Sequence, residues 1–179
     1  MTVVDRESIR SDYRRDRRSF QGLLAAASAE DLRGHTDGTR WTNEELLFHM
    51  LFGYHVVRVL LPLVRLFAVL PPQANRWFAA LLDASTKPFD LINYLGARWG
   101  ARVIDRRRMM AVFDWTLAAL LEHLDTEPEE HMARGTMFPT RWDPFFKSRM
   151  TIADVYRYPT QHFAFHREQL TIGSSPRRR

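Results

Sequence analysis

Two stretches of this chain begin with the same helix grammar, and each leads to histidine. In the first, Thr42 is a candidate N-cap and Glu45 follows three residues later, with Trp41 and Leu46 placed to form a hydrophobic staple. In the second, Thr151 and Asp154 repeat the cap-and-acid spacing, with Met150 and Val155 as the staple pair. The second stretch carries His162 and His166, four residues apart. On a helix that spacing turns through about 400°, so both imidazoles leave one face, stacked one above the other. His49 lies seven residues after its cap and His162 eleven after its own, both close to whole numbers of turns. Each helix turns its apolar stripe inward, so the three rings can face a common axis.

The rest of the chain supplies helices to surround that axis. Ile9, Tyr13, Phe20, Leu23, Leu24 and Ala27 predict a first helix over 8–27, with arginines on its other face. Arg14, Arg15, Asp16, Arg17 and Arg18 read as that solvated face. Ser28 and Asp31 form a short capping signature before a polar loop over 33–40. The second helix runs to about Leu70 with a kink expected near Pro62, and Pro71-Pro72 ends it. Met109, Phe113, Thr116, Leu117, Leu120 and Leu124 mark a third main helix, closed by Glu127-Pro128. Pro159 kinks the fourth or marks a restart, leaving both later histidines on one piece.

No strand-like alternation appears, so the expected class is all-α: a four-helix bundle with an extended, partly helical connection between the second and third main helices. In that connection, Trp77, Phe78, Leu81 and Leu82 suggest a short helix. Gly96 and Gly100 read as a break in preference to a close approach. The segment over 129–150 is expected as a loop. It carries Phe138, Trp142, Phe145 and Phe146, and so must cover either the core or a pocket. Residues 1–171 form one domain, and 172–179 a disordered basic tail.

Composition narrows the chemistry. There is no cysteine, so disulfides and thiolate ligands are excluded and any metal must be held by nitrogen or oxygen. The net charge of +5 includes three from Arg177, Arg178 and Arg179, and no recognition motif accompanies it; nucleic acid is not an expected partner. The apolar stretch over 46–70 is long enough to span a bilayer. It contains Arg58 and Arg65, however, which cost about 2.5–3.5 kcal/mol each at a membrane centre. A buried helix is expected instead, in a protein of the cytoplasm, since the charged N-terminus has no signal-peptide core.

Three imidazoles with open positions can bind a divalent metal, zinc or nickel for preference, with iron and copper remaining open. His55, His123, His35 and His131 are less well placed for this role. Tyr158, one turn before His162, and Glu45, one turn before His49, are candidates for a supporting shell. A core tyrosine and a capping carboxylate explain them equally or better.

The segments Trp41–His49 and Met150–His166 resemble the second and last helices of the DinB-like family of metal-binding four-helix bundles. By position, the family's histidine triad falls on His49, His162 and His166. The segment over 73–102 departs from the compact family pattern. The resemblance implies a metal-dependent enzyme that activates a low-molecular-weight thiol, or water, for transfer to or hydrolysis of a small electrophile. Mycothiol- and bacillithiol-dependent transferases are among the relatives. Arginine outnumbers lysine 24 to 2, which fits a GC-rich genome and so mycothiol, an inference by analogy only. Two alternatives stand beside it: a non-catalytic bundle that binds a metal or an apolar ligand, and an interaction protein that dimerises through the apolar second helix.

Overall fold

The structure, a computed structural model, describes residues 4–173, with the side chains of Pro72 and Phe89 excepted. The chain is mostly helical. In order come α1 (Arg6–Ala26), α2 (Ala29–Arg33), α3 (Asn43–Val69), α4 (Pro72–Ala84), α5 (Thr86–Val103), α6 (Arg106–Thr126) and α7 (Glu129–Met132). Two short strands follow, β1 (Gly135–Met137) and β2 (Arg149–Thr151), and then α8 (Ile152–Arg167). The basic tail expected from residue 172 lies, beyond Gly173, outside the described residues.

All three predicted capping boxes form, at Ser28/Asp31, Thr42/Glu45 and Thr151/Asp154. Each satisfies two backbone donors that a helix start leaves without partners. α3 and α8 both run through their internal prolines as single helices, so His162 and His166 stay on one continuous element. Between α3 and α6 the connection is more regular than expected: it forms α4 and α5, and α5 passes through both Gly96 and Gly100. Gly100 is a close approach. A methyl group there would lie 2.1 Å from the ring of Phe48, so only glycine lets α5 settle on α3 at this point.

The segment over 129–150 also departs from expectation. His131 lies on the single turn of α7, and β1 pairs antiparallel with β2, Thr136 opposite Met150. Three residues per strand are too few to show alternation in a sequence.

At the centre, fully buried aromatics from α1, α3, α6 and α8 meet, among them Phe20, Tyr54, Phe113 and Phe163. Phe113 stands edge-on to Phe20 at 4.8 Å and to Tyr54 at 5.1 Å, and Phe163 packs 6.3 Å from Phe113. Edge-on pairs of this kind add about 0.5–1.5 kcal/mol each beyond the area they bury.

Polar groups are threaded through the same core. Asp16, read from sequence as part of a solvated face, is buried and accepts a hydrogen bond from the Tyr54 hydroxyl at 2.6 Å. Burial pushes its carboxyl above the ordinary range, against the pull of Tyr54 and Arg15. Glu127, at the end of α6, is also buried, and its Oε2 accepts from Arg65 Nε at 2.8 Å and from the Tyr156 hydroxyl at 3.4 Å. This pair ties the outer half of α3 to α6 and α8.

A buried carboxylate that loses its only guanidinium costs far more than a surface pair. Arg65→Ala is therefore expected to destabilise the fold by about 3–5 kcal/mol. Adding Glu127→Gln should restore part of the loss. Urea unfolding of the single and double variants measures both.

Candidate metal centre

α3 and α8 share the most extensive helix interface in the molecule, and the three predicted histidines sit inside it. His49, His162 and His166 are all buried, and one nitrogen of each lies within 4.8 Å of the others. Their ring centroids are 4.5–4.8 Å apart. His49 Nε2 and His162 Nε2 face each other at 3.0 Å. Neighbouring ligand atoms on a tetrahedral ion with bonds of about 2.0–2.1 Å stand roughly 3.3 Å apart, so this pair is already at ligand spacing.

Each ring is fixed by a different device. Trp41 stacks on His49 at 4.4 Å with 29° between the planes. The sequence marked Trp41 only as a staple; here it is a wall of the site. The His162 ring lies close against Gly53, where an added methyl group would come within 2.8 Å of Nδ1. Gly53 is four residues after His49, on the same face of α3, so the helix is bare where the later ring must enter. His166 is held by chemistry: its Nδ1 meets Gln169 Oε1 at 2.7 Å. A carboxamide oxygen accepts, so Nδ1 carries the proton and Nε2 keeps its lone pair for a ligand.

The donor set fits a divalent ion. Burial pushes His49 down to about 3, with His166 adding to the effect. Burial also drives His162 well below the usual imidazole range, assisted by His49 and His166. His166 is lowered by burial, against the raising influence of Gln169 and Asp143. Three uncharged imidazoles at neutral pH are the protonation state that metal binding requires. The Nδ1 atoms of His49 and His162 are buried with no hydrogen-bond partner, so packing against Trp41 and Gly53 orients those rings where hydrogen bonds usually do.

Of the two supporting candidates, Glu45 takes its capping role and Tyr158 turns to Asp143. Glu45 closes the capping box of α3 and pairs with Arg98 at 3.4 Å, so its carboxylate is committed to structure. The Tyr158 hydroxyl donates at 2.8 Å to Asp143 Oδ2, and that oxygen lies 4.0 Å from His162 Nε2. Asp143 Oδ1 accepts from the Phe145 amide at 2.9 Å. Burial raises the Asp143 carboxyl, against the pull of its hydrogen bonds and of His166. Nothing in the sequence distinguished Asp143, a loop residue outside both histidine segments. Gln169, one turn past His166, was within reach of the helix reading.

The other histidines stay out of the cluster. His55 faces Thr116 and Trp115 on α6, His131 approaches Glu127 at 3.5 Å, and His35 bridges to Thr42.

The triad forms one end of a cavity of about 370 Å³. Phe138, Trp142, Phe145 and Phe146 line it, so the aromatic loop is a cavity wall; Phe138, Phe145 and Phe146 also pack on the core. Comparison of the chain with protein-family models, curated proteins and solved structures finds no match in any of the three. Of the described helices α3 alone is long and apolar enough to cross a bilayer, and 56% of its most apolar stretch is buried by neighbouring elements.

Gly53→Ala should displace the His162 ring and lower zinc affinity by tenfold or more while the helical circular dichroism stays that of the parent. Competition against a chromophoric chelator reads the affinity. A second expectation concerns pH. Unfolded histidines take up protons near 6.5, whereas His49 in the fold resists down to about 3. In that window the unfolded chain binds more protons. The metal-free protein therefore loses stability as pH falls through it, by up to about 1.4 kcal/mol per pH unit for each such histidine. Urea titrations at pH 7 and 5 test this, and His49→Leu should flatten the slope.

Proposed function

We propose that this chain is a metal-dependent enzyme of the DinB-like kind. In this reading α1, α3, α6 and α8 are the four-helix bundle, and His49, His162 and His166 hold one divalent ion. The observation that carries it is the convergence of three buried, uncharged imidazoles from two helices at the end of a cavity. Nitrogen donors alone suit zinc or nickel above harder ions. A bound ion of this type lowers the pKa of a thiol or a water, which makes a nucleophile available at neutral pH.

The remaining work falls to the chain itself. Asp143 stands beside the triad with one carboxylate oxygen fixed by Tyr158 and the other by the Phe145 amide. It accepts the proton given up by the thiol or water, and Tyr158 keeps it aimed. Such positioned general bases contribute about 10²–10⁴-fold to rate. Trp41 and the aromatic loop keep bulk water from the histidines. The reaction is transfer of a low-molecular-weight thiol such as mycothiol, or of water, to a small electrophile, in the cytoplasm.

Elemental analysis of protein purified without a histidine tag tests the site. About one equivalent of metal is expected in the parent and less than a tenth of that in His162→Ala. Unchanged metal in the variant removes the reading. Asp143→Asn should keep its metal and lose about 10²-fold in kcat against panels of thiols and electrophiles. A metal-loaded parent with no turnover on any panel would instead support the non-catalytic alternative.

One observation favours an additional role in self-association. Ile92, Trp99 and Val103, seven and four residues apart along one face of α5, are exposed apolar side chains more than half accessible. Patches of this kind mark contact surfaces. A homodimer through this face predicts a doubled mass in sedimentation equilibrium, reduced to the monomer by Trp99→Glu.

A further inference from the structure

The cavity itself specifies what can approach the histidines. On α3, Phe52, Val56, Leu60, Leu63 and Phe67 succeed one another at steps of three and four residues, so they form one continuous apolar strip along the helix. That strip leads away from the triad toward Phe78 and Leu82 on α4. The aromatic loop closes the opposite side. It is tied to α4 by the Trp142 indole, which donates to the Leu82 carbonyl at 2.9 Å.

Polar groups are few and unevenly placed. The three histidines, Asp143 and Tyr158 are gathered at one end. Elsewhere Asn93, Thr136 and the Trp142 indole contribute; the Thr136 hydroxyl is already spent on Asn75 at 3.0 Å and the indole on Leu82. Among the described residues, no lysine or arginine lines the cavity, although the chain as a whole is rich in arginine. A carboxylate or phosphate along its length would be desolvated with no cation to meet it. In the metal-free protein Asp143 adds negative charge at the reactive end and disfavours an anionic head there as well. Its volume, about 370 Å³, falls within the range of drug-sized ligand sites, about 300–1,000 Å³.

We propose that the molecule taken up here is an uncharged, hydrophobic electrophile: an alkyl or aryl compound with a single polar group at one end. It lies lengthwise along the α3 strip and presents that group to the triad. The inference rests on the metal-enzyme reading for which end reacts, whereas the walls alone select the apolar body. Leu60 and Leu63, 40% and 38% exposed, stand where the strip reaches the surface and form the entrance.

The test is binding of straight-chain 2-alkanones, from butanone to dodecanone, against fatty carboxylates of matched length. Quenching of tryptophan fluorescence, with Trp41 and Trp142 in the walls, reads the affinity, and calorimetry confirms the stoichiometry. Both zinc-loaded and chelator-treated full-length protein are used. Ketone affinity should rise about fourfold per methylene until the cavity is full, in either metal state. In the chelated protein each ketone should bind at least tenfold more tightly than its carboxylate. Leu60→Glu should weaken the ketones tenfold or more with metal content unchanged, and Val56→Phe should move the length limit to shorter chains.

Affinity that is flat with chain length, or carboxylates that equal the ketones in chelated protein, overturns the proposal. So does full ketone binding by both folded variants. Chain-length dependence in a protein that binds no metal would sink only the metal reading; metal binding without chain-length dependence would sink only this one.

Discussion

The structure depends on how closely α8 is allowed to approach α3. Gly53 removes the one side chain that would stand where the His162 ring has to lie, and this lets His162 Nε2 come within 3.0 Å of His49 Nε2. That contact has a cost. Imidazoles buried at this spacing cannot be charged together, and burial holds all three below their usual pKa. What results is three buried, uncharged imidazoles converging on one point. A divalent cation is the chemical species that such an arrangement accommodates best.

Around this contact the molecule separates support from chemistry. The four aromatics from α1, α3, α6 and α8, together with the Arg65–Glu127 and Tyr54–Asp16 pairs, hold the helices away from the site. Loop and helix-end residues then refine it: Trp41 over His49, Gln169 on His166, and Asp143 with Tyr158 beside His162. Rigid elements fix the three histidines, while the 138–146 segment supplies both the carboxylate and the cavity wall. The loop can therefore vary in sequence without disturbing the triad.

Much of this was legible in the chain. The three capping boxes are local, since cap and acid are three residues apart and need no tertiary partner, and they fixed where α2, α3 and α8 begin. Helical periodicity then put His49, His162 and His166 on inward faces. The misreadings fall where local pattern is silent or ambiguous. Asp16 carries a charge within a charged run, and only the packing of α3 on α1 makes it a core group. Gly100 looks like any helix breaker until Phe48 is seen occupying the place of its missing side chain. Glu45, by contrast, takes the capping role the sequence favoured, and its ion pair with Arg98 joins the cap in committing it to structure.

By itself, then, the sequence determined the four main helices, the start points of α2, α3 and α8, and the face from which each histidine of the triad emerges. Those features depend on interactions spanning three or four residues, which a linear chain records. The tertiary structure alone decided that the three rings meet, that Asp143 stands beside them, and that the cavity beyond carries no cation. Such features join residues far apart in the chain, among them His49 and His162. Their placement is set by how whole helices pack, a quantity that no short window of sequence contains.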